Sequence, residues 1–162
     1  MISIQKYNSS QNHILQKMIE ELTDYIIDID PLKRCRRLPE YSQNYTHNLL
    51  QKVKRGDGLI LFAVSNSQIV GFIAGIIEKQ TKEDLLECIP TKTGRIMELY
   101  VKPTFRNQNI GKKLMTEMET YFKQKKCTIF KVEVFAPNSG AHQFYQKLDY
   151  QERIIDLIKV VS

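Results

Sequence analysis

The run Arg106-Asn107-Gln108-Asn109-Ile110-Gly111-Lys112-Lys113 sets three cations around one glycine, shortly after a strand-like segment that stops at Pro103. An amphipathic helix pattern opens at its far end. The first N–H groups of a helix have no acceptor within it, and its dipole favours negative charge there. A turn that carries a strand into such a terminus is therefore suited to phosphate. Arg106, Lys112 and Lys113 reinforce those donors. A nucleotide P-loop would require glycine at 106 and Ser or Thr at 113, where this chain has arginine and lysine. A dinucleotide fingerprint fails too, because Gly111 is the corner's single glycine.

Two further residues have proton chemistry. Glu98 lies in the strand-like RIMELYV, where alternation sets Ile96, Glu98 and Tyr100 on one face. Tyr145 lies in APNSGAHQFYQKLDY at 136–150, where Ala141, Phe144, Tyr145 and Leu148 share a helical face. An ionised carboxylate can accept a proton. A phenol of ordinary pKa, about 10, holds its proton at neutral pH and can donate it. Both residues also have purely structural readings: Glu98 paired with a neighbouring element, Tyr145 packed in the core.

These groups need a scaffold. Ile2 and Ile4 alternate with polar residues as a short strand, and Asn8, Ser9 and Ser10 offer caps for a helix through Ile26. Pro31 and Pro39 bracket a basic connection, and a second helix runs from Tyr41 to Lys54. Leu59–Ser65 and Gln68–Glu78 form a hairpin turning at Asn66–Ser67, with Gly71 and Gly75 marking a bulge or a close backbone approach. A charged connection over 79–94 includes a short helix in KEDLLECI. Arg95–Val101 is a strand, Ile110–Lys125 a helix, Thr128–Phe135 a strand, Ser139–Lys147 a helix and Gln151–Val161 a final strand. The passage from 95 to 135 should join parallel neighbours, and the hairpin is antiparallel, so the sheet is mixed.

The 162 residues suffice for one domain with a real core, and 42% hydrophobic with 26% charged residues is ordinary for a globular protein. There is no apolar run of membrane-spanning length and no signal-peptide core at the N-terminus. Cys35, Cys88 and Cys127 are widely spaced without metal-ligand pattern, which fits reduced thiols in the cytoplasm. A formal charge of +6 admits anionic partners. A nucleic-acid reading rests on that charge alone and predicts salt-sensitive binding.

The corner and the 136–150 segment together resemble the GNAT family of acetyl-CoA-dependent N-acetyltransferases. The family's Arg/Gln-x-x-Gly-x-Gly/Ala loop falls on Arg106 to Gly111, with Asn109 where glycine is usual and Asn107 where it is frequent. Asparagine is the non-glycine residue best able to take left-handed backbone angles, so the loop's shape can persist. The later signature, Asn-x-x-Ala-x-x-Phe-Tyr-x-x-x-Gly-Phe/Tyr, falls on Asn138, Ala141, Phe144, Tyr145 and Tyr150, with Asp149 in place of the helix-ending glycine.

The resemblance implies a three-layer α/β/α fold over 1–162, with a mixed, mostly antiparallel sheet splayed between the fourth and fifth strands. It implies acetyl-CoA as co-substrate, no metal, and an amine acceptor that attacks directly in a ternary complex. By the same resemblance the pyrophosphate meets the N–H groups of Asn107, Gln108, Asn109, Ile110, Gly111 and Lys112, with Arg106. Pantetheine runs along Leu99, Tyr100 and Val101, and Asn138, Ala141 and Phe144 complete the cofactor site. Tyr145 is then the general acid and Glu98 the candidate base. A non-catalytic acetyl-CoA-binding module of the same fold is the alternative. A homodimer stays open. So does the acceptor, which could meet the acidic Glu78, Glu83, Asp84 and Glu87 or the basic Lys33, Arg34, Arg36 and Arg37.

Overall fold

The computed structural model describes residues 1–161. Five strands, β1 (Ile2–Lys6), β2 (Leu59–Ser65), β3 (Gln68–Glu78), β4 (Thr93–Val101) and β5 (Ile129–Val132), lie side by side in chain order. The first four pair antiparallel, and β5 runs parallel to β4. The helices are α1 (Asn12–Ile29), α2 (Tyr41–Arg55), α3 (Asp84–Glu87), α4 (Ile110–Gln124) and α5 (Ser139–Gln146).

Local chemistry accounts for many of the boundaries. The Asn8 side chain accepts from the Ser10 N–H, and Gln11 Oε1 accepts from the Asn8 N–H, a reciprocal cap leading into α1. Asn66 and Ser67 turn the β2–β3 hairpin with φ of 47° and 64°, as a two-residue turn of this hand requires. Strand alternation then divides the apolar residues between two cores. Leu61 and Ala63 face α4 and α5, while Ile60 and Phe62 face α1 and α2. The sheet is thus covered on both faces, the three-layer arrangement expected.

Phe122 of α4, fully buried, sits where two glycines let the sheet come close. A Cβ on Gly94 would lie 2.4 Å from its ring, and one on Gly75 would lie 2.7 Å away. Bulges between Ala63 and Val64 and between Ala74 and Gly75 adjoin Gly71 and Gly75.

Two expectations fail at the C-terminal side. The strand expected over Thr128–Phe135 is confined to Ile129–Val132, because pairing with β4 ends there. The strand expected over Gln151–Val161 does not form; these residues have no regular structure and are exposed. Strand propensity describes fit to a pleated, half-buried surface, and within the chain this segment meets none. Its root is fixed elsewhere: Tyr150 Oη donates to Glu119 at 3.0 Å, and His142 Nε2 lies 2.7 Å from Glu152.

Gly94→Ala should lower stability by about 1–3 kcal/mol, since the fully buried Phe122 ring would have to shift to admit a Cβ. Urea unfolding followed by circular dichroism measures it. A neutral result would show that the β4–α4 contact yields more easily than its closeness implies.

Candidate active site at the parting of β4 and β5

Pairing between β4 and β5 runs from Thr93 opposite Ile129 to Ile96 opposite Val132 and then stops. Beyond it β4 continues to Val101 against β3 alone, leaving its other edge without a strand among the described residues. At the point of parting, Ile96 stands opposite Gly75 and Glu98 opposite Ala74, so Met97 is the extra residue of a bulge. The bulge resets the side-chain alternation. Ile96 stays in the α4–α5 core, while Met97 and Tyr100 pack into the α1–α2 core and Glu98 faces α2. The expectation that Ile96 shares a face with Glu98 and Tyr100 is corrected here: the pleat is interrupted between them.

The Glu98 carboxylate accepts a hydrogen bond from Tyr45 Oη of α2, and the Tyr45 ring stacks on Tyr41 with centroids 5.5 Å apart. Burial pushes the Glu98 carboxyl above the usual carboxylate range; the Tyr45 donor and the charge of Lys52 act against that rise. Tyr145 is buried on the sheet's other face, in the core that α5 helps to form. Burial, with a smaller contribution from the Glu98 charge, raises its phenol well above the ordinary value. The surroundings of Tyr145 thus keep its phenol protonated. Tyr100, next on the open segment, donates to Glu21 of α1 at 2.9 Å.

Past Val101 a 3-10 turn over Pro103–Phe105 leads into the basic corner. Asn107 and Asn109 both take left-handed angles, φ of 61° and 60°. These are the two positions where a glycine loop would carry its glycines, and asparagine supplies the same backbone at small cost. None of the N–H groups from Asn107 to Lys112 donates to a backbone carbonyl among the described residues. The corner is exposed except for Ile110, which is buried, and Gly111, which is half-buried. Arg106 Nε donates to the Val101 carbonyl at 3.1 Å, and its guanidinium lies over the Tyr25 ring at 5.4 Å. Lys112 and Lys113 stay exposed on the first turn of α4.

Gly111 connects this corner to the 136–150 segment. A Cβ there would come within 3.3 Å of the Phe144 ring, so the missing side chain lets α5 seat against the start of α4. Asn138 caps α5 by accepting from the Ala141 N–H at 3.2 Å, and it meets Tyr25 Oη at 3.4 Å. Ala141, Phe144 and Leu148 line the core around Tyr145. Asp149 takes φ of 64°, as the usual glycine would, and the Tyr150 N–H reaches back to the Tyr145 carbonyl at 3.1 Å.

The structure thus gathers the corner, the free edge of β4, Glu98 and Tyr145 at one end of the sheet. It also adds residues that sequence reasoning missed, Tyr45 and Tyr25. Tyr45 sits on the inward stripe of α2 and Tyr25 near the end of α1, positions that name no partner far away in sequence. Of the basic group, Arg37 is tied to Asp24 at 2.7 Å, and Lys33, Arg34 and Arg36 are exposed. Glu78 is held by Arg95 at 3.0 Å beside an open concavity at the opposite end of β4.

A family model described as "Acetyltransferase (GNAT) family" matches residues 18–150. The chain belongs to the GNAT acetyltransferase family. It is 31% identical over 100 residues to the uncharacterized N-acetyltransferase MJ1207 of Methanocaldococcus jannaschii, a match spanning 60% of this chain and 40% of that one. It is 32% identical over 91 residues to the spermidine N(1)-acetyltransferase of Thermoplasma acidophilum, spanning 56% of this chain and 49% of the relative. The chain therefore matches under half the length of either. The fold is that of AAC(6')-Iy in complex with the bisubstrate analog CoA-S-monomethyl-acetylneamine, at TM-score 0.71, 16% identity and 99% coverage of both chains. Among the described residues no helix is long and apolar enough to cross a membrane.

Asn109→Ala should cost about 1 kcal/mol of stability, because a Cβ without a compensating polar group is strained at this φ, whereas Asn109→Gly should be close to neutral. Thermal unfolding of both variants measures the difference; equal stabilities would mean the corner is not held in this conformation. Tyr45→Phe removes a donor to the ionised carboxylate and should raise the Glu98 pKa further. Carbon-detected NMR titration of the glutamate carboxyls reads that shift, and a fall would exclude the bond as a determinant.

Proposed function

We propose that this chain transfers the acetyl group of acetyl-CoA to a primary amine of a small molecule or peptide, by direct attack within a ternary complex. The observation that carries the reading is a run of free backbone N–H groups, curved by two left-handed asparagines, at the end of the strand edge that bears Glu98. The run suits a pyrophosphate and the open edge suits an extended amide-bearing arm, so the residues present fit the cofactor.

The N–H groups of Asn107 to Lys112, with Arg106 and Lys112, bind the pyrophosphate electrostatically. Leu99, Tyr100 and Val101 pair with the pantetheine amides, and a backbone N–H near Leu99 supports the thioester carbonyl. Gly111, Asn138, Ala141 and Phe144 shape the wall along which the arm passes. Bound acetyl-CoA supplies the activated acyl group. Glu98 takes the proton that an amine of pKa near 10 carries at neutral pH, and its raised pKa suits a base working there. Tyr145 gives its proton to the departing thiolate, and its raised pKa keeps that proton available beforehand. Tyr41, Tyr45 and Glu98 form the acceptor side, a carboxylate beside aromatic faces that suits a cationic amine. One relative's name specifies spermidine, so polyamines head the acceptors to test. The three free cysteines suit work in the reducing cytoplasm.

The test follows free thiol released from acetyl-CoA against polyamines, aminoglycosides, amino acids and peptides with free N-termini. Tyr145→Phe should lower the maximal rate by about 100-fold or more while calorimetry shows acetyl-CoA affinity little changed. Glu98→Gln should lower kcat/KM and abolish the acid limb of its pH profile. Because the carboxyl pKa is raised, that limb in the parent chain should fall at a pH above the ordinary glutamate range. Acetyl-CoA binding without turnover on any amine would favour a non-catalytic module, and an unchanged rate in Tyr145→Phe would remove its role as acid.

A further inference from the structure

Tyr25 is a large aromatic side chain on α1 that belongs to neither core. It is half-buried near the end of the helix, where it meets two segments that share no hydrogen bond among the described residues. The Arg106 guanidinium lies over its ring, 5.4 Å from the centroid, and its hydroxyl donates to Asn138 Oδ1 at 3.4 Å. The first contact engages the corner that follows β4, and the second engages the loop that follows β5. Both continue inward. Arg106 Nε donates to the carbonyl of Val101, the last residue of the open edge. Asn138 Oδ1 also accepts from the Ala141 N–H as the cap of α5, the helix that bears Tyr145. A path of contacts thus runs from the end of β4, through one α1 side chain, to the start of α5.

That path crosses the opening. Past Ile96 and Val132 no backbone hydrogen bond joins the β4 side to the β5 side among the described residues, so the spacing there rests on side chains. On the α4–α5 face Phe144, seated against Gly111, ties the two sides together. On the α1 face Tyr25 is its counterpart. Glu21, one turn earlier on the same helix stripe, accepts from Tyr100 Oη and fixes that stripe to the open edge. The contact with Tyr25 also leaves Arg106 able to act. Among its N–H groups only Nε is engaged within the described residues. The rest of the fork stays available to an anion, while the ring restrains the long side chain that carries it.

We infer that Tyr25 is a positioning residue for acetyl-CoA, a crossbar from Arg106 to Asn138 that holds the mouth of the β4–β5 opening at the width the bound cofactor requires. The inference rests on the acetyl-CoA reading of the site. Tyr25 acts on the cofactor through Arg106 on one side and the α5 cap on the other. Groups ordered before a ligand arrives spare it the entropy of ordering them. The crossbar therefore contributes to affinity for acetyl-CoA and not to affinity for the acceptor.

Two variants separate the arms of the crossbar. Tyr25→Leu removes both contacts, and Tyr25→Phe removes only the hydroxyl. Calorimetry should show acetyl-CoA affinity falling about tenfold in Tyr25→Leu and about threefold in Tyr25→Phe, which keeps the ring against Arg106. The KM for acetyl-CoA should rise in parallel while the KM for the acceptor stays unchanged. In NMR of the cofactor-free chain, the Arg106 Nε–H should exchange with water faster in Tyr25→Leu alone, and the Ala141 amide faster in both. Equal acetyl-CoA affinity in parent and Tyr25→Leu would overturn the inference even if the variant melted at a lower temperature, since a packing role would show only there. Should Tyr25→Leu fail to fold, Tyr25→Phe decides: unchanged affinity and unchanged Ala141 exchange would overturn it. A parent chain that bound no acetyl-CoA would instead sink the proposed function, and the positioning role with it.

Discussion

The parting of β4 from β5 is the constraint on which this end of the molecule depends. A parallel pair that stayed zipped to Val101 would use its backbone groups on itself and bury Glu98 behind a neighbour. Here the pairing covers four residues of β4, ending at Ile96, and the bulge at Met97 turns the next side chain toward α2. One extra residue thus divides the strand into two differently used halves. Up to Ile96 it builds the sheet, and beyond Met97 it presents a free edge and a buried carboxylate.

Two cores hold that opening in place from opposite faces. The α1–α2 layer brings Tyr45 onto Glu98 and Glu21 onto Tyr100, and the α4–α5 layer brings Tyr145 beneath the gap and Phe144 against Gly111. Ion pairs contribute mostly at the margins, where they are partly exposed and individually weak. Packing about Phe122, where Gly75 and Gly94 admit the ring, is the firmer connection between sheet and α4.

Much of this was legible in the residues because local rules governed it. The Asn66–Ser67 turn and the left-handed tolerance of Asn107, Asn109 and Asp149 are properties of short segments, and each has its expected backbone; of the caps expected for the first helix, only Asn8 acts, on the 3-10 turn over Ser9–Gln11 that precedes it. The layering followed from alternation in β2 and β3. What was not legible depended on contacts distant in sequence. No period reveals that Met97 is a bulge, since that depends on the register against β3. Nor does the sequence of α2 show that Tyr45 reaches Glu98, 53 residues on. The 151–161 segment failed as a strand prediction for a related reason: its residues have the propensity, but it pairs with no edge of the sheet among the described residues.

The bond between Tyr45 and Glu98 has a consequence for selectivity. One carboxylate oxygen accepts from Tyr45, and the other has no donor among the described residues. Under the proposed function, a hydroxyl arriving at that second oxygen would bring a bond of the same kind as Tyr45's, whereas a cationic donor would add the attraction of its own charge. Tyr45 thus fixes one half of the carboxylate and leaves the other half to whatever enters.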